Sequence, residues 1–282
     1  EHAVAVPLFS GLRADVPHEV VIEKTSEAAW NIWTDISPNY VGFMRFEGDS
    51  GMRYGTPPKT PTRRIEFLGD SITAGYCNLG DDGESVAGES YASSWAHIAC
   101  DTLDASCHTM AWSGIGMAEN CCPGDTIAPD IWKRTLATVD SDDPHGTPAS
   151  NLWNFSSWTP DAVVINLGTN DNLYNRPELL PTYNSTYLQL VLNAGKSYGK
   201  QTAFFLACGP MDDTYCDPVH WVITQAKKHG LKAFFLDQRG FDTDCCGHPC
   251  AKADKSIAAA TAKSIASNMG WDAVESEESL QF

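Results

Sequence analysis

The stretch Arg64-Ile65-Glu66-Phe67-Leu68-Gly69-Asp70-Ser71-Ile72-Thr73-Ala74-Gly75-Tyr76 runs from an apolar strand-like segment through a glycine turn into a helical pattern. The change of period falls at Gly69-Asp70-Ser71, which places a serine at the end of the strand Ile65–Leu68. The same strand-then-helix pattern recurs downstream. Further strands are expected over Cys107–Ala111, Ala162–Leu167, Thr202–Ala207 and Lys232–Leu236. Each is apolar nearly throughout, as a parallel strand buried on both faces must be. Helices are expected over Ser90–Leu103, Pro129–Thr138, Leu180–Tyr198, Pro218–His229 and Ala251–Met269. Strand–helix alternation predicts an α/β domain over residues 63–282 with right-handed crossovers. In such sheets ligands bind beyond the carboxyl ends of the strands.

Upstream, residues 1–62 lack helical periodicity. Glu19-Val20-Val21-Ile22-Glu23 and Tyr40-Val41-Gly42-Phe43-Met44 read as strands, with Trp30-Asn31-Ile32-Trp33 between them. The run Gly55-Thr56-Pro57-Pro58-Lys59-Thr60-Pro61 reads as a linker. A small β-rich N-terminal segment packed on the following domain is expected.

Composition narrows the setting. The chain has 282 residues, 43% of them hydrophobic and 20% charged, enough apolar material for a packed core. Its net charge of -17, with 19 Lys plus Arg, leaves no basic face for nucleic acid or an anionic membrane. No run is long and apolar enough to span a bilayer. Ten cysteines and the sequons Asn154-Phe155-Ser156 and Asn184-Ser185-Thr186 point to a secreted, disulfide-bonded chain with N-glycan acceptors at Asn154 and Asn184. The start at Glu1 rather than Met fits removal of a leader. Cysteine pairing and oligomeric state are not legible at this level.

The strand ends carry the chemistry. The first strand leads into Gly69-Asp70-Ser71-Ile72-Thr73 and the second into Trp112-Ser113-Gly114-Ile115-Gly116. The third leads into Gly168-Thr169-Asn170-Asp171, and after the fifth comes Cys245-Cys246-Gly247-His248-Pro249. A serine hydroxyl needs a base to take its proton, and a histidine titrating near neutrality suits that task. The tetrahedral intermediate then needs donors aimed at its oxyanion. The N–H groups of Ser71 and Gly114 and the side-chain amide of Asn170 could supply them. Together these residues make up an acyl-transfer site.

The four blocks resemble those of the SGNH (GDSL-type) hydrolase superfamily over residues 64–268. Arg64–Tyr76 together with Val164-Ile165-Asn166-Leu167-Gly168-Thr169-Asn170-Asp171 is similar more closely to carbohydrate esterase family two. The resemblance implies a three-layer α/β/α sandwich with a parallel, flavodoxin-like sheet. It implies Ser71 as nucleophile, His248 as base, Ser71, Gly114 and Asn170 as oxyanion hole, and neither metal nor cofactor. It also implies an acetyl polysaccharide ester as substrate and a β-sandwich ahead of the hydrolase domain. The Glu23-Lys24-Thr25-Ser26-Glu27 run is similar to the end of that sandwich. Asp70 is expected to cap the following helix.

One position departs from the superfamily. The Asp expected three residues before the histidine is Cys245 here. Some members of the closer family work with a Ser–His pair and a backbone carbonyl, so a dyad is expected, with Asp244 as the candidate third member. Cys245, Cys246, His248 and Cys250 have the look of a zinc set, but a disulfide staple on the base's loop is the expectation. A link between the doublets Cys121-Cys122 and Cys245-Cys246 is conceivable. Trp112 and Tyr174 are candidate platforms for a sugar ring, while Trp132, Trp153, Trp158 and Trp221 are expected to pack. His97, His108, His220 and His229 read as structural or surface residues. The expected function is a secreted esterase for O-acetyl groups on polysaccharide. The alternatives are a lipase or acylhydrolase for longer chains, and a non-catalytic extracellular carbohydrate-binding or structural glycoprotein.

Overall fold

The computed structural model describes residues 5–27, 43–80, 86–122, 124–136 and 149–272. Strands β1 (Arg63–Gly69), β2 (Ala105–Ala111), β3 (Ala162–Asn166), β4 (Ala203–Cys208) and β5 (Lys232–Asp237) pair in parallel in the order β2-β1-β3-β4-β5. That is the flavodoxin-like order, with its switch point between β1 and β3. β3 and β4 are buried along their whole length, which is why they read as unbroken apolar runs. β2 lies at an edge and is half-buried throughout, and its start at Ala105 is two residues earlier than the apolar run suggests.

Alternate side chains of each strand feed two cores. Val163, Ile165, Phe204 and Leu206 pack with Tyr183, Tyr187 and Leu190 of α4 (Leu180–Tyr198) and Val219 and Val222 of α5 (Cys216–Lys228). Phe67, Val164 and Phe205 pack on the opposite face with Trp95 of α2 (Trp95–Thr102) and Ile257 and Ile265 of α6 (Ala251–Met269). The result is three layers. Each such fully buried side chain contributes about 1.5–3 kcal/mol, so these two interiors dominate stability. Ala96 and Ala99 of α2 share that second core with Ala258, Ala262 and Ala266 of α6, and their small side chains let the two helices approach closely.

The helix expected over Ser90–Leu103 is divided. A 3-10 turn at Tyr91–Ser93 precedes Ser94, which is extended and caps α2 by accepting from the His97 N–H. The helix expected from Pro129 shortens to α3 (Ala128–Ile131), because the chain beyond Trp132 pairs instead with the 151–153 stretch: Thr135 N–H donates to the Asn151 carbonyl, and Trp153 N–H to that of Lys133. Residues 137 and 138 lie outside the described residues.

The β-rich character expected ahead of the sheet is not found where the chain is described. Residues 5–27 and 43–62 form no strand. Val21 and Ile22, expected in a strand, are exposed. Among the described residues no neighbouring strand pairs with them, and an isolated strand has no ladder or buried face to stabilise it. Trp30–Trp33 and residues 40–42 lie outside the described residues. The Gly55–Pro61 stretch is irregular and, up to Thr60, exposed, as a linker should be. Among the described residues no helix is long and apolar enough to cross a membrane.

Candidate active site

The end of β1 builds the position of Ser71, the candidate nucleophile. The Asp70 carboxylate accepts from the Ile72 N–H at 2.9 Å and caps α1 (Ser71–Ala74), as its place in the sequence predicts. Gly75 closes the turn with φ 85°, its N–H on the Ser71 carbonyl at 3.1 Å. A Cβ there would lie 2.5 Å from the Ser90 carbonyl oxygen, so glycine is required twice over. Ser71 is buried to 6% exposure at the head of this turn.

His248 meets it from the loop after β5. Its Nε2 lies 2.8 Å from Ser71 Oγ, although the two residues are 177 positions apart. Its Nδ1 lies 3.0 Å from the Cys246 carbonyl. A carbonyl can only accept, so Nδ1 carries the proton and Nε2 offers its lone pair to the serine hydroxyl. Burial pushes the His248 pKa below its ordinary value, and the Cys246 carbonyl opposes that shift. The ring is therefore neutral at neutral pH and able to accept a proton. The Tyr76 ring packs beside it, with centroids 5.0 Å apart.

Cysteines fasten the loop. Cys245 pairs with Cys250, and Cys246 pairs with Cys77, just beyond α1. The neighbouring cysteines thus take different partners, and those of the zinc-like set are all in disulfides. Cys121 and Cys122 are free thiols with their sulfurs 2.6 Å apart, so no link joins the two doublets. The other pairs are Cys100–Cys107 and Cys208–Cys216.

The place of the candidate third member, Asp244, is held by another group. The Nδ1 position is taken by the Cys246 carbonyl, and Asp244 is exposed. The disulfide at Cys245 sets the loop's register: Cys245 and His248 exchange backbone hydrogen bonds of 3.0 and 2.7 Å in a tight turn that brings the intervening carbonyl under the ring.

The turn Trp112-Ser113-Gly114-Ile115 closes through Ile115 N–H on the Trp112 carbonyl at 3.2 Å, with Gly114 at φ 76°. That left-handed value at the third position is what a type II turn demands of glycine. Asn170, in a 3-10 turn after β3, donates through Nδ2 to the Ile115 carbonyl at 3.0 Å and to Asp70 Oδ2 at 3.3 Å. It thus ties the turn bearing Gly114 to the turn bearing Ser71. Asp171 pins the next stretch, its carboxylate accepting from the N–H groups of Met117, Ala118 and Glu119 at 2.8, 2.7 and 3.0 Å. Burial raises Asp171 to about 6 against the pull of those bonds. Burial likewise raises Asp70 to about 7, with the Ile72 N–H opposing and the Asp171 charge adding.

Of the two candidate sugar platforms, Trp112 is not one. It is only 7% exposed and packs with Ile115 and Met117 in the interior. Tyr174 is 77% exposed. Asn154 is exposed, whereas Asn184 is half-buried on α4.

A backbone carbonyl behind the base is what the resemblance implies, but neither the residue that supplies it nor Glu27 is identified by the sequence. The Cys246 carbonyl has no side-chain signature at all. Glu27 had one faint signal, its place in the Glu23–Glu27 run. It is buried, accepts from the Ser113 N–H at 2.6 Å and bonds the Ser113 hydroxyl.

Comparison with known proteins places this geometry. A profile of the GDSL-like lipase/acylhydrolase family matches residues 65–260. The chain is 31% identical to the cellulase/esterase CelE of Acetivibrio thermocellus, over 94% of this chain and 32% of that protein. It is 26% identical to an acetylxylan esterase / glucomannan deacetylase of Cellvibrio japonicus, over 86% of this chain and 67% of that one. It therefore spans about a third of the first relative and two thirds of the second. Among solved structures, a family two carbohydrate esterase from Clostridium thermocellum in complex with cellohexaose superposes with a TM-score of 0.66 at 28% identity, covering 77% of this chain and 67% of that one. A family 2 carbohydrate esterase with a carbohydrate-binding domain from Corynascus thermopiles (Myceliophthora fergusii) gives 0.60 at 30% identity, covering 77% and 69%.

Proposed function

Because this chain belongs to the GDSL-like lipase/acylhydrolase family, we propose that it is a secreted serine esterase that removes O-acetyl groups from polysaccharide through an acyl-enzyme on Ser71. The observation that carries this reading is the 2.8 Å contact between Ser71 Oγ and His248 Nε2. Four disulfides support an extracellular setting. The names of the relatives support a carbohydrate ester as substrate. Asn154, being exposed, is the better placed glycan acceptor.

Ser71 Oγ attacks the acetyl carbonyl carbon while its proton passes to His248 Nε2. The carbonyl oxygen takes the charge among the N–H groups of Ser71 and Gly114. The Asn170 amide joins them by giving up its longer bond, the one to Asp70. Collapse breaks the ester C–O bond, and the sugar hydroxyl leaves with the proton from His248. Water then attacks the acetyl-serine with His248 again as base, releasing acetate and restoring Ser71.

The test is acetate release from a panel of acetylated xylans and glucomannans, with Ser71→Ala as control. The variant is expected to fold and to lose at least about a thousandfold in turnover. Equal turnover by variant and parent would end the proposal. Aryl esters of increasing acyl length give a second check, with activity falling beyond acetate. A preference for long chains would favour an acylhydrolase instead.

A further inference from the structure

We propose that Glu27, supplied by the segment ahead of the sheet, is a positioning residue for the oxyanion turn: its carboxyl group holds the N–H and hydroxyl of Ser113 and so fixes where the Gly114 N–H points. This rests on Ser71 being the nucleophile.

The geometry of the turn explains why such a clamp is needed. Ile115 N–H on the Trp112 carbonyl fixes the two ends of the turn, and the Cys121 N–H on the Gly114 carbonyl at 3.2 Å fixes its exit. None of these bonds restrains the central peptide, the Ser113–Gly114 amide. Type I and type II turns differ by a flip of that one amide, which reverses the direction of its N–H. That N–H is the Gly114 donor assigned to the oxyanion hole. Glu27 grips Ser113 at two points on one side of the central amide, its backbone N–H at 2.6 Å and its hydroxyl. The two grips fix the Trp112–Ser113 amide and the Ser113 side chain, and so the Cα from which the central amide extends.

The clamp is itself anchored. Glu27 N–H donates to Glu89 Oε1 at 2.6 Å, Lys24 Nζ donates to the Glu27 carbonyl at 2.6 Å, and Tyr91 N–H donates to the Thr25 carbonyl at 2.8 Å. Residues 24–27 are thereby fastened to the stretch that follows the nucleophile's helix. Burial, with the nearby Glu89 and Asp70 charges adding and the Ser113 bonds opposing, pushes the Glu27 pKa well above the ordinary carboxylate range. The Ser113 N–H donates to one carboxyl oxygen of Glu27 and the Ser113 hydroxyl donates to the other. A glutamine keeps both contacts, accepting the Ser113 N–H on its amide oxygen and donating from its amide nitrogen to the Ser113 hydroxyl oxygen.

The experiment compares Glu27→Ala, Glu27→Asp and Glu27→Gln on a small aryl acetate, alongside inhibition by phenylboronic acid. That acid adds to a serine oxygen to give a tetrahedral anion that uses the oxyanion hole. Glu27→Ala is expected to lower kcat by about 10- to 100-fold with KM nearly constant, and to weaken boronate inhibition by the same factor. Glu27→Asp, too short to reach, follows it in both readouts if the alanine variant does not fold. Glu27→Gln recovers both. Folded Glu27→Ala or Glu27→Asp protein with parental kcat and boronate affinity would overturn the inference. So would equal losses in Glu27→Gln and Glu27→Ala. Ser71→Ala separates the two proposals. If it stays active, the esterase reading fails; if it is inactive while the Glu27 variants match the parent, only this inference fails.

Discussion

Ser71 sits where a buried strand turns into a helix, whereas His248 sits in a loop without regular structure, fastened by disulfides. The proposed nucleophile is positioned by the same forces that fold the domain: the buried β1, the Asp70 cap and the Gly75 turn. The base has no such support, since Cys246 and Gly247 beside it are exposed and both adopt positive φ. Its place comes from covalent links. Cys246 is the residue whose carbonyl orients the imidazole, and its sulfur is bonded to Cys77, two residues after Gly75. One residue thus ties the base's orienting group directly to the nucleophile's own segment. On the proposed mechanism, the pair is assembled from one member fixed by packing and another fixed by a tether.

The largest effect that bears on this contrast comes from pH. The active form needs neutral His248, so activity is full above its pKa and falls as pH drops through it. Burial holds that pKa below the ordinary value of 6.5, so the acid limb of kcat/KM lies below 6.5. Two pH units under the midpoint, activity falls about 100-fold. A midpoint above 7 on an aryl acetate would mean that a charged partner, not a carbonyl, faces Nδ1.

The tether gives the next effect. Cys77→Ser with Cys246→Ser opens a link spanning 169 residues. It should cost about 2–5 kcal/mol in stability by denaturant unfolding. It should also lower kcat/KM by about 10- to 100-fold at temperatures where the variant is folded, because the orienting carbonyl is loosened. The control pair Cys100→Ser with Cys107→Ser, which joins α2 to β2, should leave kcat/KM within about twofold. Equal activity losses in the two double variants would show that the tether acts only on stability.

The same contrast governs what was legible in the sequence. The strands, Ser71 and Asp70 were readable because packing and capping impose patterns on side-chain types: apolar runs for β3 and β4, an Asp before a helix start. Leu180–Tyr198 and Ala251–Met269 were readable to the residue, since each is a long helix with one face against the sheet. Ser90–Leu103 reads as one helix because Ser94 breaks it without a proline or glycine. Trp112 was a candidate platform by its neighbours in sequence, and burial decides against it. The orienter of His248 was illegible as a residue type, since every residue has a carbonyl and only the disulfide-set turn brings that of Cys246 into place. Glu27 lies 86 positions from Ser113, and no local pattern announces a contact of that span.

The smallest expected effect is the sharpest on the question of the third member. Asp244→Asn should leave kcat/KM within about twofold and the acid limb unmoved, because the Asp244 side chain is exposed and Nδ1 is bonded elsewhere. A carboxylate in contact with the imidazole would raise its pKa by about 1 unit or more, and its removal would lower the limb by as much. A carbonyl dipole fixes the same tautomer but stabilises the imidazolium less, having no net charge to offer. That weaker stabilisation is why burial prevails and the His248 pKa falls rather than rises. A limb in Asp244→Asn displaced by a full unit would restore the acid to the pair and remove the carbonyl from its role.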